Sequence, residues 1–93
     1  MRQNRLMKEL GANIRRWRKV NGMSASDLAA RAFVTRETLR GLEEGTTAPR
    51  VDSLIAILAA LGIADPVVEA TNPYNNAAAR ARIDDILRSG GSL

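Results

Sequence analysis

The stretch Ser24–Gly45, SASDLAARAFVTRETLRGLEEG, decides the fold of this chain. Its first half opens with Ser24 and Asp27, whose Ser-x-x-Asp spacing is that of a capping box and predicts the start of a helix. Its second half opens at Thr35, a favourable N-cap residue, and closes at Gly45, which accepts the left-handed conformation that ends many helices. The stretch therefore predicts two short helices joined by a tight turn.

Apolar residues at helical spacing continue upstream of this pair. Leu6, Leu10, Ile14 and Trp17 share one face of a helix, which predicts a first helix from about 5 to about 20 with Trp17 in the core.

Downstream, the same spacing predicts a helix at 51–61 and a short one at 66–70, the latter opened by an Asp-Pro pair. A last helix is predicted after Asn75 or Asn76, either of which can cap it. The fold class is therefore all-α, a compact bundle of five helices with an extra C-terminal helix.

The charge of the chain points to a polyanionic partner. The formal net charge is +4 and the pI is about 10.7, and seven of the 14 basic residues lie in the first twenty positions. Such a balance favours nucleic acid or an anionic membrane surface, although a merely solvated basic surface has the same composition. The basic residues do not border a wide apolar face, which disfavours the membrane surface.

Two absences from the sequence exclude much chemistry. The chain has no cysteine and no histidine, which removes disulfides, thiolate nucleophiles, the commonest general base and the commonest metal ligands. The adjacent Asp84 and Asp85 point in different directions on a helix and do not make an acid/base pair. We therefore expect no enzyme, cofactor or metal site. Since no apolar run approaches 18–20 residues and no secretory signal is visible, we expect a cytoplasmic protein.

A family pattern is present before, within and after the opening stretch, over about Leu10 to Leu61. Upstream it includes Ile14-x-x-Trp17-Arg18, and downstream Pro49-x-x-x-x-Leu54. Within the stretch it is carried by Leu28, Ala29, Val34, Leu39, Leu42, Glu43 and Gly45. In these residues the chain resembles the Cro/repressor-type helix-turn-helix family, also called the XRE or lambda-repressor-like family.

The resemblance implies sequence-specific double-stranded DNA binding, with residues 1–70 as the DNA-binding domain and 71–93 as an extension for dimer or partner contact. In this motif the N-terminal residues of the second helix meet base edges. Arg36 can grip guanine O6 and N7, Glu37 can accept from a cytosine amino group, and Arg40 can reach a base or a phosphate. The alternative for each is a solvated surface charge.

The neighbouring backbone amides and hydroxyls are expected to hold the DNA phosphates. The candidate phosphate contacts are Ser24, Ser26, Thr35, Thr46, Thr47 and Arg50, while Arg15, Arg16 and Lys19 are expected to add diffuse attraction.

Three positions depart from the family pattern. Ala25 stands where relatives often carry a phosphate-clamping glutamine, and Gly41 leaves a gap where they often carry a base-reading side chain. Phe33 stands where glycine is usual because the backbone often has positive φ, which strains a bulky residue. Either the turn is reshaped here, or Phe33 accepts the strain and packs its ring elsewhere.

By the same resemblance, Arg18 and Glu43 form a partly buried ion pair that links the first helix to the end of the recognition helix. The alternative is two independent surface charges.

A single recognition helix reads few base pairs, so a homodimer on a palindromic operator is expected. Apolar surface that a monomer cannot easily bury is the expected interface. We expect region 66–70 to form the contact, as in relatives, with the last helix packing across the dimer, although it could instead fold back on its own core. The interface residues are Ile63, Val67, Val68, Ile83, Ile86 and Leu87.

The simplest function is a homodimeric transcriptional repressor. One alternative is the antitoxin of a toxin–antitoxin pair, which would hold its toxin through 71–93 while repressing the shared promoter. Another is a controller protein of a restriction–modification system, which can activate as well as repress.

Overall fold

The computed structural model describes residues 2–93, and side chains from residue 4 onward. All its regular structure is helical, which confirms the predicted all-α class. The elements are α1 (Arg2–Val20), α2 (Ala25–Arg31), α3 (Arg36–Glu44), α4 (Val51–Ala60), α5 (Ala64–Ala70), a 3-10 turn (Pro73–Asn75) and α6 (Ala77–Arg88).

Local capping sets the starts of α2, α3 and α6 and the end of α3. The Ser24 and Asp27 capping box is complete: the Asp27 amide donates to Ser24 Oγ at 3.0 Å, and the Ser24 amide donates to Asp27 Oδ2 at 3.1 Å. Gly45 closes α3 in the left-handed conformation with φ 70°. Of the two candidate caps for α6, Asn76 fills the role, since its Oδ1 accepts from the Ala79 amide at 2.9 Å.

Two predicted boundaries were wrong. Helix α1 begins at Arg2 rather than near residue 5, and α5 begins at Ala64 rather than Pro66. Pro66 lies within the first turn of α5, where the missing N–H costs no intrahelical hydrogen bond.

The core lies among α1, α2, α3 and α4. Its central side chains are almost wholly removed from solvent: Ile14, Leu28, Leu39, Ile57 and Leu58. Ala29, Ala32, Leu42 and Leu61 complete the cluster, and Val34, Leu54 and Ile63 pack against its edge.

The first helix buries a different face from the one its apolar spacing predicts. Ile14 is buried, but Leu6, Leu10 and Trp17 are 50, 36 and 44% exposed, so the assignment of Trp17 to the core was wrong. The reason is Gly11, where a Cβ would overlap the backbone carbonyl of Leu42. The close approach of α1 to α3 at this glycine turns the apolar stripe sideways, partly out of the core.

The C-terminal third projects from this core. Helix α5 has no buried residue, and α6 packs mainly against the 3-10 turn, with Ile83 buried to 5% exposure. The radius of gyration is 16.7 Å, whereas a compact domain of this length has about 12 Å. The molecule measures 52 × 29 × 21 Å, so α6 is an arm and not a layer of the bundle.

Candidate nucleic-acid interface

Helix α3 separates its side chains into an inner and an outer set. Leu39 and Leu42 are buried in the core, while Arg36, Glu37 and Arg40 are exposed on the opposite side. Thr35 caps the helix with its Oγ1 accepting from the Thr38 amide at 3.0 Å, so the start of the helix is fixed. The three predicted base-contacting residues therefore share one outward face.

A first groove lies beside this face, towards α1 and α2. Arg36, Glu37 and Arg40 line it together with Ala25, which sits between Ser24 and Ser26 in the first turn of α2. Arg15 of α1 also lines this groove. From the sequence, Arg15 was expected to add only diffuse attraction. Its position one helical turn before Arg18, which faces α3, could have indicated that Arg15 lies near this groove.

A second groove lies on the other side of the same residues. Glu37 and Arg40 line it with Thr46 and Thr47 of the following loop. Arg40 thus borders both grooves, and the outer face of α3 is flanked by predicted phosphate-binding groups on two sides. Arg50 lies at the end of this loop as the N-cap residue of α4.

The basic groups of this surface are lightly held. Arg40 is 3.7 Å from Glu44 and Arg50 is 3.2 Å from Asp52, and both arginine side chains are more than three-quarters exposed. Such exposed pairs contribute about 0–1 kcal/mol, so either guanidinium can exchange its partner for a phosphate or base at small cost.

The predicted phosphate-binding hydroxyls are not equivalent. Ser26 is exposed, and Ser24 uses its Oγ as an acceptor in the cap, which leaves its hydroxyl hydrogen for a phosphate. The Thr35 hydroxyl, in contrast, donates to Thr38 Oγ1 at 2.9 Å. Thr35 therefore acts first as a cap, and its hydroxyl would have to leave that bond to reach a phosphate.

An ion pair anchors the recognition helix to α1. Arg18 Nε donates to Glu43 Oε2 at 2.8 Å and Nη2 donates to Oε1 at 3.0 Å, while Nη1 donates to the Met23 carbonyl at 3.1 Å. The two side chains are 12 and 8% exposed. The hydrogen bond to Glu43 raises the pKa of Arg18 above its usual value. The predicted pairing of Arg18 with Glu43 is present.

The comparison with known families agrees with this geometry. The family model described as Helix-turn-helix matches residues 14–66, more than half of the chain, and the match contains all of α2, the turn and α3. The chain belongs to this helix-turn-helix family, of the Cro/XRE type. No curated protein and no solved structure gives a significant match to the chain.

Gly41, one of the three departures from the helix-turn-helix family pattern, makes a contact with Thr47 that the sequence does not predict. Gly41 is buried and lines the second groove, and a Cβ there would overlap Oγ1 of Thr47. Its carbonyl accepts from the amides of Thr46 and Thr47 at 3.0 and 3.3 Å. Gly41 thus lets the 46–47 loop close against α3.

The other two departures from the family pattern are Phe33 in the turn and Ala25 at the start of α2. Phe33 has φ 56°, so the turn is not reshaped, and its side chain is 95% exposed, so the ring does not pack elsewhere. The expectation of a packing role for the ring was wrong. Ala25 is half-buried against the core and cannot replace a clamping glutamine.

The described part of this helix-turn-helix protein contains neither a metal-binding cluster nor a helix that could span a membrane. Residues 2–93 contain no cluster of carboxylates that could hold a metal ion. Within the same residues, no helix combines the length and apolar character needed to cross a membrane.

Proposed function

We propose that this DNA-binding transcriptional regulator is a homodimeric repressor that reads a palindromic operator. The observation that carries the proposal is the outer face of α3, where Arg36, Glu37 and Arg40 stand exposed between two grooves. Helix N-termini and hydroxyls flank both grooves, which matches the division between base reading and phosphate positioning in major-groove recognition.

Within this proposal, residues 1–70 form the DNA-binding unit and 71–93 extend it for contact between copies. Val67, Val68, Ile86 and Leu87 are 37, 53, 41 and 48% exposed, so their side chains are available to a second molecule. Ile83 is a correction to the predicted set, because it is buried within its own chain.

Ile63 packs against the edge of the core with part of its side chain exposed, so it remains in the proposed interface. A two-fold dimer built on Ile63 and these four residues would present two recognition helices to half-sites about 34 Å apart.

The experiment begins with selection of the operator from random DNA, followed by binding of Arg36→Ala and Arg50→Ala. We expect Arg36→Ala to lose about 1–3 kcal/mol and to relax the preference at one base pair of each half-site. Arg50→Ala should weaken binding to all sequences alike and reduce the salt slope by about one.

Uniform weakening by Arg36→Ala, with every base preference retained, would refute the assignment of base reading to Arg36. Selection of a site without two-fold symmetry, together with a monomer in sedimentation, would refute the dimeric repressor.

The antitoxin alternative depends on the same exposed face of α6. A co-expressed neighbouring gene product that binds the full chain, and that Leu87→Asp releases without change in operator binding, would favour it over the homodimer.

A further inference from the structure

Helix α1 carries an exposed stripe with the spacing of a coiled-coil seam. Its five members are exposed, and they follow one another at spacings of four, three, four and three residues. Four are apolar: Leu6, Leu10, Trp17 and Val20 are 50, 36, 44 and 75% exposed. The central member is Asn13. We call these five residues the α1 seam.

The seam has the form of a surface that receives another helix. Alternating spacings of four and three place its members at the a and d positions of two heptads, over about 21 Å of helix. A single polar residue at such a position, here Asn13, fixes the register of the partner helix. Contiguous exposed apolar surface of this kind marks an interaction site.

The arm of the same chain carries apolar side chains that also lack a cover. Ile86 and Leu87 of α6 are 41 and 48% exposed. With 12 residues, α6 is about 18 Å long, close to the length of the seam. Because the main contacts of α6 are with the 3-10 turn, α6 and α1 of one chain do not cover each other.

Charge selects between the two helices of a second copy that could enter the seam. The first twenty residues carry seven basic residues and one acidic residue, so two α1 helices side by side would repel. Helix α6 carries three basic and two acidic residues, so its charge is nearly balanced and it repels α1 far less than a second α1 would. Two strongly basic α1 helices in contact would need more counterions than a contact between α1 and the nearly balanced α6.

We propose that α6 of one copy lies in the α1 seam of a second copy, and that the exchange is reciprocal. The occupant is thus the arm of an identical chain, with Ile86 and Leu87 packed on Leu10 and Trp17. This inference rests on the homodimer of the proposed function and gives it an architecture. The two contacts are related by a two-fold axis and close the assembly at two copies.

Engineered cysteines test the exchange, because the chain has none of its own. Purified Leu10→Cys and Leu87→Cys proteins are mixed and mildly oxidised, and the products are resolved without reductant and identified by mass spectrometry of peptides. We expect a disulfide between residue 10 of one chain and residue 87 of the other. Lys19→Cys, on the far side of α1, is the matched control and should give no link with Leu87→Cys. Ile86→Cys is run in parallel because disulfides need Cα atoms about 4.4–6.8 Å apart.

Three results would overturn the exchange. A 10–10 disulfide as the main product of Leu10→Cys alone would show that two α1 helices pair. An internal 10–87 disulfide in the double variant at high dilution would show that the arm folds back on its own chain. Failure of Leu10→Cys to link to either residue 86 or residue 87 would remove the contact.

Sedimentation and operator binding of the unmodified protein separate this inference from the proposed function. If the protein is a dimer that binds its operator and no 10–86 or 10–87 link forms, only the exchange is wrong. If it is a monomer without operator binding, the proposed function itself fails.

Discussion

Replacement of Phe33 by glycine should make the protein more stable. Phe33 holds φ 56°, a left-handed conformation that costs a residue with a Cβ roughly 1–2 kcal/mol. Its ring is 95% exposed, so almost no buried apolar area is lost with it. Because an unstrained glycine is itself about 0.5–1 kcal/mol less favourable than alanine through the entropy of the unfolded chain, the net gain is smaller than the strain.

We therefore expect Phe33→Gly to raise the free energy of unfolding by about 1 kcal/mol. For a domain of this size, that shift corresponds to an increase in Tm of about 4–8 °C. The measurement is thermal and urea unfolding followed by circular dichroism. Protein concentration is held equal across variants, since a dimer makes Tm depend on concentration.

Phe33→Ala is the control that separates backbone from ring. It removes the ring but keeps the Cβ, so it should stay within about 0.5 kcal/mol of the original protein. If alanine stabilises as much as glycine, the ring and not the backbone conformation carries the cost. If glycine destabilises the protein by more than about 1 kcal/mol, the ring has a packing partner and the reasoning fails.

Three other perturbations test the anchoring of the helices. Gly11→Ala should lower the free energy of unfolding by about 1–3 kcal/mol, because the new Cβ meets the α3 backbone even though alanine is the better helix former. Ala12→Gly is the control for helix propensity alone and should cost about 1 kcal/mol. An unchanged Tm for Gly11→Ala would refute the close contact. Glu43→Ala should cost about 3 kcal/mol by leaving Arg18 unpaired. In a double-mutant cycle, Arg18→Met with Glu43→Leu should cost much less than Arg18→Met and Glu43→Leu measured singly and added; additive losses would contradict a coupled pair. Hydrogen bonds from Ser24 lower the pKa of Asp27, so the stabilisation by its carboxylate is present above the usual pKa of about 3.9 and is lost as the pH falls through the lower folded value. The stability difference between the original protein and Asp27→Asn should therefore shrink over that acidic range. A difference that grows as the pH falls would contradict the lowered pKa.

The features that the sequence predicts well are those set by neighbours along the chain. The capping box at Ser24, the left-handed end at Gly45 and the cap at Asn76 depend on three or four adjacent residues, and all are present. The outer face of α3 could also be predicted, because helical periodicity alone places Arg36 and Leu39 on different faces of the helix.

The features that sequence reasoning missed depend on how distant elements approach. The exposure of Trp17 follows from the contact of Gly11 with α3, and no periodicity within α1 reports that contact. The contact of Gly41 with Thr47 was also missed, because it depends on how the loop after α3 closes. Arg15 lines the first groove because α1 packs against α3, a contact between distant parts of the sequence.

The close approach at Gly11 also determines how the recognition helix behaves before it meets DNA. Helix α3 has nine residues and would be marginal in isolation, whereas α1 has 19. Because contact at Gly11 and the ion pair of Arg18 with Glu43 join the two helices, we expect them to open together in hydrogen exchange. DNA therefore meets a helix that is already ordered. We expect association by rigid-body docking without coupled folding, with a small heat-capacity change and a fast, salt-dependent rate.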